Sequence, residues 1–135
     1  MIKKGTLLIL LFTVFFIEAQ EPVFVHFSEK NGLPDKEFYD LIEDRKGFIW
    51  LGADKGLFRY DGKNYKKYTN ELQRSSSIFS LQEDNLGRIW CNNVSGQFFY
   101  LQDNKLELFI DFSKELKGQL ADFIVKDNYL WIIGQ

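Results

Sequence analysis

"GFIWLGADKGLFRYDG", residues 47–62, returns forty residues later as "GRIWCNNVSGQFFYLQ", residues 87–102. Laid without a gap, residues 39–64 over 79–104 share ten identities in 26 positions: Leu41, Glu43, Asp44, Gly47, Ile49, Trp50, Gly56, Phe58, Tyr60 and Asn64 meet Leu81, Glu83, Asp84, Gly87, Ile89, Trp90, Gly96, Phe98, Tyr100 and Asn104. A third copy begins in "ADFIVKDNYLWIIGQ", with Trp131 forty-one residues after Trp90. A period of about 40 residues suits a four-stranded propeller blade.

The first copy reads as four strands. "FYDLIED" alternates and ends at Asp44, and "DRKG" has Asp at the first turn position and Gly at the fourth, the chemistry of a type I turn. "FIWLGA" is apolar on both faces, with Phe48 and Trp50 pointing one way and Ile49 and Leu51 the other, as in a strand covered on both sides. "DKG" turns the chain with Gly56, "LFRYD" runs back, and "DG" (Asp61–Gly62) signals a hairpin. "NYKKYT" alternates lysine with tyrosine, so this last strand forms a solvent edge. The falling apolar content from second to fourth strand places Trp50, Trp90 and Trp131 between neighbouring blades and predicts Cys91 as a small buried hydrophobe. "PVFVHFSEKNGLP" (residues 22–34) looks most like the outer strand "KNYKKYTNE", with Phe24 and Phe27 matching Tyr65 and Tyr68. It is therefore expected to be a lone outer strand.

The remainder of the composition agrees. The chain has 135 residues, 45% apolar, with 14 Phe, 6 Tyr and 3 Trp. This is globular composition, with an aromatic excess that favours strands. A formal charge of −2 without a basic stripe gives no footprint for nucleic acid. "MIKKG", the eleven-residue apolar run Leu7–Ile17 and "EAQ" read as a secretory signal cut after Ala19; the run is too short to span a membrane. Its removal leaves a mildly acidic chain with one cysteine, which cannot form an internal disulfide. The expected layout is a signal at 1–19, a lone outer strand and loop at 20–37, blades at 38–77 and 78–117, and an incomplete blade at 118–135.

Individual residues argue against catalysis and metal binding. Asp44, Asp84 and Asp127 stand beside turns without the closely spaced oxygen ligands of a calcium loop, so they are read as turn-capping residues. His26 has no partner for a zinc site. Glu43–Asp44 and Glu83–Asp84 recur at strand ends, unlike a carboxylate pair facing one another across a cleft. The aromatics are the strongest candidates for ligand contact; the tryptophans are assigned to packing, while Tyr65, Tyr68 and Phe38 lie nearer edges or loops.

"NGLPDKEFYDLIEDRKGFIWLGADKGLFRYDGKNYKKYTN" resembles the two-component regulator propeller repeats of the periplasmic sensor regions of bacterial hybrid histidine kinases. Asp44, Gly47, Trp50, Gly52, Gly56, Leu57 and Tyr60 match the repeat, with Ala53 where Thr is usual. The second copy keeps Asp84, Gly87, Trp90, Gly96 and Tyr100 but has Asn92, Asn93 and Gln97 for Gly, Thr and Leu. The third keeps Trp131 and Gly134, and "NGLP" (Asn31–Pro34) matches the loop before the first repeat. The resemblance implies an all-β partial propeller outside the cytoplasm that senses a glycan or other nutrient, uses no cofactor and performs no catalysis. Closed propellers use about 4–8 blades. Two copies and the start of a third are therefore expected to be a piece of a larger sensor, or to associate through open blade edges. The rivals are an exported binding or assembly protein unrelated to signalling and, behind it, a fragment of a propeller-fold glycan-active enzyme.

Overall fold

The computed structural model describes residues 22–134, so the expected signal at 1–19 lies outside the described residues. Three antiparallel sheets follow one another along the chain. The first is a meander of β1 (Phe38–Glu43), β2 (Ile49–Ala53), β3 (Gly56–Tyr60) and β4 (Tyr65–Tyr68). The second repeats it with β5 (Ile78–Glu83), β6 (Ile89–Asn93), β7 (Gln97–Gln102) and β8 (Lys105–Asp111). A helical turn, Ser113–Leu116, leads into the hairpin β9 (Ala121–Lys126) and β10 (Tyr129–Gly134). These are partial propeller blades: β1 and β2 lie against β5, and β5 lies against β9, so the first strands of the three sheets are neighbours.

Alternation along β2 decides how the blades stack. Trp50 joins Leu57 and Tyr68 of its own blade with Ile78, Leu81, Ile89, Cys91, Phe99, Leu101 and Leu106 of the next, and Phe48 packs on this cluster. Leu51, Ala53 and Phe58 occupy the opposite face with Ile49. The second blade does the same one step on: Ile89 and Cys91 face the first blade, while Trp90 and Phe98 pack on Ala121 and Phe123 of the third sheet. Because strand side chains alternate with a period of two, one apolar run builds two interfaces. Gly52 permits the close approach, since a Cβ there would stand 2.8 Å from the Ile78 carbonyl oxygen and 3.0 Å from that of Phe79.

The ungapped alignment fails at the β6–β7 hairpin. Ala53 pairs with Gly56 across two loop residues, whereas Val94, Ser95 and Gly96 separate Asn93 from Gln97. Gly96 sits at φ +76° and donates its N–H to the Asn93 carbonyl at 3.1 Å, the geometry of a three-residue hairpin with a left-handed third position. The extra residue shifts every later equivalence by one. Trp50 pairs with Arg59, but Trp90 pairs with Tyr100; Leu51 pairs with Phe58, but Cys91 pairs with Phe99. Gly56 and Gly96, Phe58 and Phe98, and Tyr60 and Tyr100 share letters but not places.

One further expectation changes. Residues 22–37 contain no strand, only the 3-10 turn Glu29–Asn31, and Val23 and Phe24 are exposed. A strand needs a continuous ladder, and this segment makes a single backbone–backbone bond to the rest of the described residues, from the Asp54 N–H to the Glu37 carbonyl at 3.1 Å; Phe27 packs edge-on against Tyr60, centroids 5.8 Å apart. The hairpin expected at "DG" forms between β3 and β4, with four loop residues, 61–64, and Asp61 Oδ1 accepting the N–H groups of Lys63 and Asn64. Trp131 keeps the orientation of Trp50 and Trp90: Leu130 and Ile132 face the second blade while Trp131, 63% exposed, and Ile133 point to the far side of the sheet.

Candidate functional site

The recurring Asp, Gly and Trp form a brace within each blade. Asp44 closes the β1–β2 turn: its carbonyl accepts the Gly47 N–H at 2.9 Å, and its Oδ1 accepts those of Lys46 and Phe48 at 2.9 and 3.0 Å. Its Oδ2 accepts the Trp50 indole N–H at 2.7 Å. Asp84 repeats this with Gly87, Leu86, Arg88 and the Trp90 indole, again at 2.7 Å. Gly47 and Gly87 take φ +82° and +77°, which a side chain resists. A buried indole N–H needs an acceptor, and the carboxylate that shapes the turn provides it. Burial works to raise the Asp84 carboxyl pKa, but the Trp90 indole and the backbone and guanidinium N–H groups of Arg88 outweigh it and hold the group below its ordinary 3.8.

The third copy lacks this brace. Asp127 and Asn128, at φ +51° and +64°, make a two-residue turn between Lys126 and Tyr129, and Trp131 pairs with Ile124 much as Trp50 pairs with Ile42. Gly134, at the end of β10, lies opposite Ala121. Among the described residues no group of three His, Cys, Asp or Glu could hold a metal ion, and no helix is long and apolar enough to cross a membrane. His26 is exposed.

Between the first two blades the Asp–Trp loops frame a cleft of about 330 Å³, lined by Lys46, Phe48 and Arg59 on one side and by Leu86, Arg88 and Asn104 on the other. Arg45 bridges the blades at its edge: its backbone N–H and Nε meet Glu83 at 3.0 and 3.2 Å, and its Nη2 donates to the Asp84 carbonyl. The β7–β8 turn, with Asp103 and Asn104 at φ +50° and +62°, carries Asn104 Oδ1 to the Tyr68 hydroxyl at 3.1 Å and to Arg59 Nη1 at 3.3 Å. Tyr68, expected near an edge, is 4% exposed and lies 5.4 Å from the Trp50 ring.

A second concavity is apolar. Phe38, Leu41, Ile49, Leu51, Tyr60 and Tyr65 line a groove of about 410 Å³ on the uncovered face of the first blade. Tyr60 and Tyr65 stack there at 4.6 Å, while Tyr100 packs on Trp90 at 5.3 Å. Neither the Arg59–Asn104 contact nor the inter-blade cleft was legible in the sequence, because both depend on the displaced register of β7.

Residues 32–55, which span the approach to the first blade, β1 and β2, match the family model described as two component regulator propeller. A protein named histidine kinase P4, from Formosa agariphila, is 36% identical over 56 residues, which are 42% of this chain and 4% of that protein. The chain thus matches a small fraction of the length of that curated relative.

Proposed function

Starting from the two component regulator propeller repeat at residues 32–55, we propose that this chain is part of the extracytoplasmic sensory propeller of a two-component sensor, a non-catalytic module that recognises a glycan or other nutrient. The match of residues 32–55 to a propeller repeat, on a blade whose Trp face is covered by the next blade, carries the reading. The partial likeness to a protein named histidine kinase supports a kinase as the downstream element. The uncovered faces of the first and third sheets are then contact surfaces for further blades of the same sensor. Export rests on the lysines, apolar run and Ala19 site of the leader.

Deletion of the coding segment from its host, with transcript induction measured on a panel of polysaccharides, tests the sensory role. Loss of induction by one polysaccharide supports it, and an unchanged response to all of them overturns it. A phosphatase reporter active only outside the cytoplasm, fused after residue 135, tests export.

One observation favours a second reading, an exported assembly protein. Trp131 and Ile133 are 63% and 70% exposed on one end of the stack, and the apolar groove lies on the other. A folded oligomer of defined size on gel filtration supports assembly; a chain that aggregates without a defined size supports the piece of a larger sensor.

A further inference from the structure

Both complete blades lay a guanidinium on their tryptophan, but only one neutralises it. In the second blade Arg88 lies 5.2 Å from the rings of Trp90 and of Tyr100, and its Nε donates to Asp84 Oδ2 at 2.6 Å. In the first, Arg59 lies 4.5 Å from the Phe48 ring and 5.8 Å from those of Trp50 and Tyr68. Its Nε is buried without an acceptor, and Asn104 gives Nη1 a neutral contact at 3.3 Å. No ion pair reaches Arg59 among the described residues. A half-buried guanidinium with an orphaned donor is an exception that folded chains rarely keep without use.

We propose that the cleft between the first two blades binds a small carboxylate-bearing ligand, with Arg59 as its cationic anchor and the Phe48–Trp50 aromatic surface as its floor. The preference for an anion rests on Arg59 itself, whose Nε has no acceptor. Asp44 is held by the Trp50 indole and its own turn, Glu83 by Arg45, and Arg88 by Asp84. Asp44, Lys46, Arg59 and Asp103 remain of the lining charges and sum to zero; with the Asp44 oxygens taken up by the indole and its turn, Lys46 and Arg59 are the lining cations left without a carboxylate partner among the described residues. Arginine's planar fork matches a carboxylate better than a point charge does, and a volume of about 330 Å³ is at the small end of ligand pockets. The site names a ligand class for the sensory reading and rests on that reading for its purpose, while occupancy can be measured without it.

The test is titration of the full 16.0 kDa chain, followed through the Trp50 indole and Arg59 Nε proton–nitrogen resonances, at constant ionic strength. The probes are sodium acetate, sodium glucuronate, sodium sulfate and glucose. Saturable shifts of both resonances with glucuronate, absent with glucose, are expected. Acetate matching glucuronate identifies a free organic acid as sufficient; glucuronate alone identifies an acidic sugar. Arg59→Gln should weaken binding about tenfold or more, the loss expected for a charged hydrogen bond. Arg59→Lys, which keeps the charge, should retain part of it and guards against a folding defect in the glutamine variant. The proposal is overturned if no carboxylate gives a saturable shift, if sulfate alone does, or if Arg59→Gln binds like the parent chain. An empty cleft leaves the induction experiment free to succeed, and a host without induction leaves measured binding standing, so the two failures are distinguishable.

Discussion

Asp44 and Asp84 each answer a turn and an indole at once, so their removal strands several donors together. Asp44→Ala leaves the Trp50 indole N–H and two backbone N–H groups without their acceptor. Stranding a buried donor costs about 1–3 kcal/mol, and the variant should lose at least 2 kcal/mol or so in urea unfolding, mainly through the midpoint. Trp50→Phe removes the donor with the ring's polar edge, and the double variant Asp44→Ala/Trp50→Phe should cost less than the sum of the two single losses, because the pair acts together. Asp84 also sets an acid limit. Its folded pKa is depressed below 3.8, so its contribution is complete above that pH and drains away as pH falls through the folded value. The unfolding free energy of the parent chain should therefore fall more steeply below about pH 4 than that of Asp84→Asn, which starts lower but is flatter there. Cys91 gives a third check at this scale: burial pushes its thiol up to about 12, so a thiol reagent at neutral pH should label it only as the chain unfolds. The turn role of the aspartates was legible from "DRKG" and "DNLG". The indole bond was not, because it exists only once the loop folds back on the strand that follows it.

At the scale of elements, the strands were legible from alternation and turn residues, and the two-faced reading of "FIWLGA" separates the Phe48–Trp50 face, which meets the second blade, from the Ile49–Leu51 face, which lines the open groove. Pairing register was the weaker inference. Identities on both sides of the β6–β7 loop made a gap costly to assume, yet one inserted residue reverses which face every later side chain presents. Two glycines expose the consequence for packing. A methyl group at Gly52 would press on the Ile78 and Phe79 carbonyls, and one at Gly96 would meet the Ser113 Cα at 3.0 Å in a backbone of φ +76°. Overpacking costs about 1–3 kcal/mol. Gly52→Ala and Gly96→Ala should each lower the thermal midpoint by several degrees, with Gly52→Ala also loosening the contact between the first two sheets, measurable as faster exchange of β5 amides. Gly62→Ala, where nothing lies within 4 Å of the added carbon at φ +94°, should cost only the local strain of that turn.

Across the whole molecule, cover is uneven. The second blade has neighbours on both faces, the first on one, and the β9–β10 hairpin on one through Leu130 and Ile132. Stacked units of this kind derive much of their stability from the interfaces between them. Amide exchange should therefore be slowest in β6 and β7, intermediate in β2 and β3, and fastest in β9 and β10; equal protection across all three sheets would contradict the stacking. The blade count and stacking order were legible from the forty-residue period. The inter-blade cleft was not, since it joins Arg59 of one copy to Asn104 of the next, and a repeat alignment treats such residues as unrelated columns. The three-residue loop at 94–96 also bears on how such a chain can evolve. Duplicated segments are prone to recombine, but a crossover inside this hairpin would join one copy's front half to another's back half out of phase, turning oily side chains toward water and polar ones inward. Exchange that keeps the strands in phase is therefore expected only where whole copies move together.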